Sequence, residues 1–192
     1  MTQTLEPPSL SPAIEPLFDT HALREGVADL GRSLEQEIGD EDPLLLALLD
    51  GSVIFLADLV RTFERPVRFG LIHVGYSNAG NTEEVETEGG LFQIHYPLPV
   101  EIEGQSVVVL KDVVSSGVTE PYLAEQLRNH GARSVRFAAL IDLPDERKTD
   151  FELDYCVFQS RRRGVLVGFG LKQAGRYGHL PYLGLIPAVE EE

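Results

Sequence analysis

Five consecutive residues, Ser115-Ser116-Gly117-Val118-Thr119, have the size and side chains to cradle a phosphate group. They follow an apolar β-forming run, Ser106–Leu110 (SVVVL), and precede a helix-forming stretch that begins at Glu120. A loop that opens a helix leaves backbone N–H groups without intrahelical partners, and these point outward with the positive end of the helix dipole. Ser116 and Thr119 add hydroxyl donors, and Gly117 lets an anion approach the backbone closely. Lys111-Asp112, just upstream, adds one charge of each sign. An ordinary strand-to-helix turn with small capping residues would look the same, so the loop by itself leaves both readings open.

The rest of the chain must position this loop. Leu23, Val27, Leu30, Leu34 and Ile38 recur at spacings of three and four. They predict an amphipathic helix over 21–38, capped by Asp19 or Thr20 and stopped at Gly39-Asp40. Leu44–Leu49 is a continuous apolar run, as in a strand covered on both faces. It ends at Asp50-Gly51-Ser52, and a helix follows through Arg61. Val67–Val74, Leu91–Tyr96 and Ser134–Ile141 read as further strands, with a helix over 120–130 that stops at Gly131. Tyr155–Phe158, Val165–Gly168 and Tyr182–Ile186 read as short strands. Residues 75–90 lack apolar periodicity and read as a long mobile loop. Residues 1–18 hold four prolines and read as a tail or arm, leaving 19–192 as one domain. Strands alternating with helices predict an α/β fold built on a parallel sheet.

Composition narrows the partners. The chain has 192 residues, 43% of them hydrophobic, and a net charge of −15. It has no basic stretch to neutralise a nucleic-acid backbone, so no nucleic-acid partner is expected. No apolar run reaches the ~18 residues of a membrane span, and the N-terminus lacks a basic, then apolar, leader. A cytoplasmic location and no membrane partner are expected. Cys156 is the single cysteine, set in the apolar run YCVF, and reads as a buried structural thiol.

From about Leu44 to Ile186 the order of motifs resembles hypoxanthine-guanine phosphoribosyltransferases, members of the type I phosphoribosyltransferases. The matching segments are LLALLDGSVIFLADLVR, FGLIHVGYSNAGNTEE, VVVLKDVVSSGVTE and VGFGLKQAGRYGHLPYLGLI. The last is the most specific to the subfamily. The resemblance implies a twisted parallel sheet flanked by helices, with a small hood over its C-terminal edge. It implies transfer of ribose 5-phosphate from phosphoribosyl pyrophosphate to a purine, with Mg²⁺ if the protein is active. It also implies a homodimer or homotetramer. Ser116, Gly117, Val118 and Thr119 match the 5′-phosphate cradle, with Lys111 and Asp112 at the ribose. Asp50 and Gly51 match the diphosphate loop. Glu152 falls at the base-reading position, with Lys148 as the alternative should the alignment shift, and Val165-Leu166 fall at the base-stacking position.

Several of these matches change the chemistry. The family's acidic pair reads Lys111-Asp112, which leaves Asp112 as the one carboxylate there able to favour a metal. The family's acid/base aspartate reads Ser115, whose hydroxyl is a poor proton carrier near neutral pH. Asp50 replaces a basic residue and Glu152 a lysine. Lys172 replaces a metal-binding aspartate, and Gly178 replaces an arginine that Arg176 stands close enough to offset in part. In the mobile loop the family's Ser-Tyr pair reads Gly75-Tyr76. Reversals at a charged ligand cost ~2–5 kcal/mol each. Pairing of Asp50 with Lys172, or of Lys111 with Glu152, would neutralise them locally.

Three readings follow: a binder of phosphoribosyl pyrophosphate or a nucleoside monophosphate with lost or strongly altered transfer, a transferase with changed base specificity, or a non-catalytic interaction protein.

Overall fold

The computed structural model of the protein describes residues 13–38, 42–49, 51–76, 92–95 and 100–187. Nine strands and three helices follow in order: β1 (Glu15–Phe18), α1 (Thr20–Ile38), β2 (Leu44–Leu48), α2 (Ser52–Leu59), β3 (Arg68–Tyr76), β4 (Phe92–His95), β5 (Ser106–Val114), α3 (Thr119–Asn129), β6 (Ser134–Asp142), β7 (Tyr155–Gln159), β8 (Gly164–Val167) and β9 (Leu183–Pro187). One sheet has the order β4-β3-β2-β5-β6-β7, and a smaller one has the order β1-β9-β8. In the larger sheet β3, β2, β5, β6 and β7 run parallel and β4 antiparallel. The smaller, antiparallel sheet is the hood. The expected α/β fold with a flanked parallel sheet is the one observed.

The period-2 alternation of strand side chains divides the core in two. Leu45, Ala47, Val108, Leu110, Ala138 and Leu140 face α1 and α2. Leu44, Leu46, Val107, Val109 and Phe137 face α3 through Leu123, Ala124 and Leu127. Both faces are covered, which is why these strands read as unbroken apolar runs. Each fully buried leucine contributes ~1.5–3 kcal/mol of transfer free energy. On α1, Leu23, Val27, Leu30 and Leu34 are all buried, as their spacing predicts. Asp19 caps that helix, its Oδ1 accepting the Ala22 N–H at 2.8 Å.

Three boundaries move. β5 runs on to Val114 rather than ending at Leu110, because β6 offers partners as far as Asp142. Lys111 and Asp112 therefore lie within a strand, and their side chains leave on opposite faces. The proline-rich segment ends sooner than read. Glu15–Phe18 form an edge strand against β9, where Pro16 is tolerated, and Phe18 stacks on Phe158 with centroids 3.9 Å apart. Gly75-Tyr76 belong to β3, paired with Gln93 and Phe92 of β4. The remainder of the expected long loop lies outside the described residues. No helix among the described residues is long and apolar enough to cross a membrane.

Candidate functional site

The parallel strands β2, β5 and β6 deliver three loops to one edge of the sheet. Open α/β sheets bind ligands outside such carboxyl ends. The loop after β5, 115–118, leads straight into α3, whose N-cap Val118 makes no side-chain capping bond. Val118 thus caps none of the first-turn N–H groups; Pro121 has no N–H to give, and the Val118 N–H itself donates to Ser116 Oγ at 3.4 Å. Gly117 adopts φ +73°. The side on which a Cβ would project is filled by protein, with Arg147 Cδ and Thr149 Oγ1 both 2.7 Å from that point. Packing against residues 147–151 therefore requires this glycine, and approach of an anion is not the first reason for it.

Asp112 sits on the other side of β5 from Lys111. Its Oδ1 accepts the Val113 N–H at 2.8 Å. Its Oδ2 lies over Gly51, so close that a methyl group there would fall 1.8 Å away. Gly51 in turn meets the glycine-rich segment after β8: a Cβ on Gly170 would fall 2.3 Å from the Gly51 carbonyl oxygen. Ser52 fixes the start of α2 from beneath, its buried hydroxyl donating to the Leu48 carbonyl at 2.5 Å. Asp112, Gly51 and Gly170 thus form one contiguous wall. Asp50 lies outside the described residues.

Beyond that wall is a cleft of about 750 Å³ lined by Val53, Ile54, Lys172, Arg176, Tyr177 and His179 together with glycines. Among the described residues, basic side chains border it and no carboxylate does. Its floor is a tightly folded loop in which Phe169, Ala174 and Tyr177 hold positive φ angles of 48°, 47° and 71°. Such backbone is costly for non-glycine residues and collects at functional sites.

Lys111 is the main correction to the charge reading. It does not pair with Glu152. Its ammonium bonds Glu120 in the first turn of α3, and the two side chains are 12% and 2% exposed. Glu152 is exposed to solvent. The reason is geometric: residue 111 leaves β5 toward α3, and Glu120 is the acid that α3 presents there. Glu120 carried no sequence signal, since an acid in the first turn of a helix is ordinary. Arg147 and Thr149 escaped the sequence reading because a polar loop gives no periodicity to place them, and Asp142 because it ends the apolar run of β6.

Other expected residues separate from this cluster. Val165 is exposed and Leu166 half-buried on β8, in the hood sheet. Glu152 follows Phe151, which packs edge-on against Phe137 with centroids 5.4 Å apart. Lys148, the alternative base reader, reaches the phosphate loop through its backbone, its N–H donating to the Ser116 carbonyl at 2.8 Å. Cys156 is half-buried, and burial followed by the charge of Asp142 pushes its thiol above the usual range. That suits a structural thiol better than a nucleophile.

Comparison with known proteins places this architecture. The phosphoribosyl transferase domain family matches residues 14–174, and the chain belongs to that family. The hypoxanthine-guanine phosphoribosyltransferase of Bacillus subtilis (strain 168) is 33% identical over 176 residues, covering 91% of this chain and 94% of that one. The corresponding protein of Streptococcus mutans is 31% identical over 158 residues, 82% of this chain and 84% of its own. A crystal structure of a hypoxanthine-guanine phosphoribosyltransferase from Bacillus anthracis superposes with a TM-score of 0.78 at 27% identity, covering 91% of this chain and 99% of that one. Within the family, the chain is a type I phosphoribosyltransferase of the hypoxanthine-guanine branch.

Proposed function

We propose that the protein binds a purine nucleotide or phosphoribosyl pyrophosphate through its 5′-phosphate at residues 115–119, and that its phosphoribosyl transfer to hypoxanthine or guanine is strongly reduced. One observation carries this reading. The loop that would hold the phosphate is intact and opens onto an uncapped helix, whereas Lys111, at the first position of the family's acidic pair, is turned away into a buried pair with Glu120. Asp112 is left to meet the ribose hydroxyls.

Mg²⁺ is usually held by substrate phosphates and water with one or two carboxylates. Asp112 is the carboxylate on this wall that would join it, and the ion would offset the charge of the pyrophosphate. Lys172 lines the cleft at the position where the resemblance puts a metal-binding aspartate. Ser115 offers a hydroxyl, not a carboxylate, for proton transfer to or from a base.

Two reversals at the low end of ~2 kcal/mol each amount to about a thousandfold in rate. Assay of GMP and IMP formation from the free bases, phosphoribosyl pyrophosphate and Mg²⁺ tests this. Calorimetric binding of GMP with little or no turnover is the expected result. Turnover in the ordinary enzyme range of roughly 1–10³ s⁻¹ would refute it. A second reading has its own support. Glu152, exposed beside the phosphate loop's packing partner Phe151, is an acceptor that suits an amino group on a base. Turnover with adenine or cytosine, and none with hypoxanthine, would favour that reading.

A further inference from the structure

We infer that residues 147–149 form a strap that aims the phosphate loop, with Arg147 as a positioning residue for a bound 5′-phosphate. The inference rests on the reading of residues 115–119 as a phosphate site.

Three successive loop carbonyls are held from one direction. Arg147 Nη1 donates to the Ser115 carbonyl at 2.7 Å. The Lys148 N–H donates to the Ser116 carbonyl at 2.8 Å. Thr149 Oγ1 donates to the Gly117 carbonyl at 2.9 Å. The C=O and N–H of a planar trans peptide point in opposite directions. A strap on the carbonyl side therefore turns the N–H groups of Ser116, Gly117 and Val118 toward the opposite side, where the Val118 N–H meets Ser116 Oγ at a long 3.4 Å. Successive N–H groups aligned this way make an anion-binding nest.

The strap is itself anchored. Arg147 Nη2 donates to Asp142 Oδ1 at 2.6 Å, and the two side chains are 15% and 6% exposed. The guanidinium carbon also lies 5.7 Å from the centre of the Phe151 ring. Asp142 offsets the arginine's charge, so Arg147 acts on the phosphate through loop geometry. Asp142 ends β6 and the loop follows β5, so the strap ties the nest to the sheet rather than to a free loop. The Gly117 clash with Arg147 and Thr149 has the same origin: the strap packs where a side chain would be.

The test compares Arg147→Met, Arg147→Lys and Thr149→Val with the wild-type chain. The probes are GMP and its phosphate-free counterpart guanosine, followed by calorimetry and by amide NMR shifts of residues 116–118. Arg147→Met is expected to weaken GMP roughly ten- to a hundredfold, the range for a bond to a charged group. Arg147→Lys should fall between it and wild type. Thr149→Val should weaken GMP by about two- to tenfold. Guanosine affinity should not change, and the GMP-induced shifts at 116–118 should shrink in step with affinity. A merely structural role would lower both ligands together and leave the pattern of shifts alone. Should Arg147→Met fail to fold, Thr149→Val carries the comparison, since it removes the bond to Gly117 and a longer one from the Phe151 N–H, and no charge. Folded variants that bind GMP as wild type does would overturn the strap while leaving the site. A wild-type chain that binds no GMP would overturn the site and the strap with it.

Discussion

The Lys111–Glu120 pair offers the sharpest test of how the strand end has been rebuilt. Both groups are nearly out of water, at 12% and 2% exposure. Removing one partner of a buried pair strands the other and costs ~3–5 kcal/mol, while replacing both by apolar groups is often neutral or stabilising by ~1–4 kcal/mol. Lys111→Met leaves the Glu120 carboxylate under α3 without its ammonium and should cost about 3–5 kcal/mol. For a chain of this size 1 kcal/mol moves Tm by about 2–4 °C, so the loss should be about 6–20 °C. Glu120→Leu should cost a similar amount, since it buries an unpaired lysine. The double variant Lys111→Met/Glu120→Leu should return to wild-type stability or exceed it. Denaturant unfolding of the four proteins gives the coupling energy directly. Additive single effects, or a Lys111→Met protein within about 1 kcal/mol of wild type, would show that the pair is not the partner set that holds this lysine.

Two further outcomes follow from the geometry. Gly51→Ala places a methyl group 1.8 Å from Asp112 Oδ2, and the carboxylate, at the end of a short side chain, must swing aside. The fold should survive, but GMP affinity should fall about tenfold, as for one lost bond to a charged group, while affinity for inorganic phosphate stays unchanged. Equal loss for both ligands in calorimetry would contradict a ribose-facing Asp112. Tyr155 gives a pH dependence: burial first, then its 2.7 Å bond to Glu37, pushes its hydroxyl above the usual 10.0. A raised folded pKa favours the neutral form. Its contribution is therefore complete below the unfolded value of about 10 and is lost as pH rises through the folded one. Thermal melts from about pH 9 to 11 should fall more steeply for wild type than for Tyr155→Phe, and parallel curves would contradict the assignment.

How much was legible depended on whether a residue belonged to a pattern. The runs at 44–49 and 106–110 and the stripe on α1 were legible, the first of them one residue too long, because burial on one or two faces imposes a period on the sequence. The turn at 115–119 was legible as a strand-to-helix connection, but its small residues suit an ordinary cap and a phosphate cradle alike. The end of β5 was misjudged because Lys111-Asp112 looks like the start of a turn. Ladder pairing with β6 kept it extended, and tertiary pairing outranks local preference. β1 was hidden by Pro16 and the prolines before it, since proline forbids a central strand but not an edge. The strap was invisible, since its hydrogen bonds join backbone carbonyls to residues 32 positions away in a polar stretch.

The reversed charges are therefore not all of one kind. A lysine left in a strand end without a partner would cost several kcal/mol and would select against itself. Lys111 has instead a nearly buried carboxylate on the adjacent helix, so its charge is neutralised within the fold. On the far side of the Gly51 wall, the cleft lining carries Lys172, Arg176 and His179, with no carboxylate among the described residues. The phosphate loop lies between these two altered regions and has three of its carbonyls fixed by residues 147–149. The three strap bonds to the loop carbonyls involve residues 147–149 alone, while Lys111 tethers the first turn of α3 that follows the loop through Glu120. On the proposed reading, substitutions in the strap and at Lys111 are therefore expected to act on binding by different routes, which GMP titrations would separate.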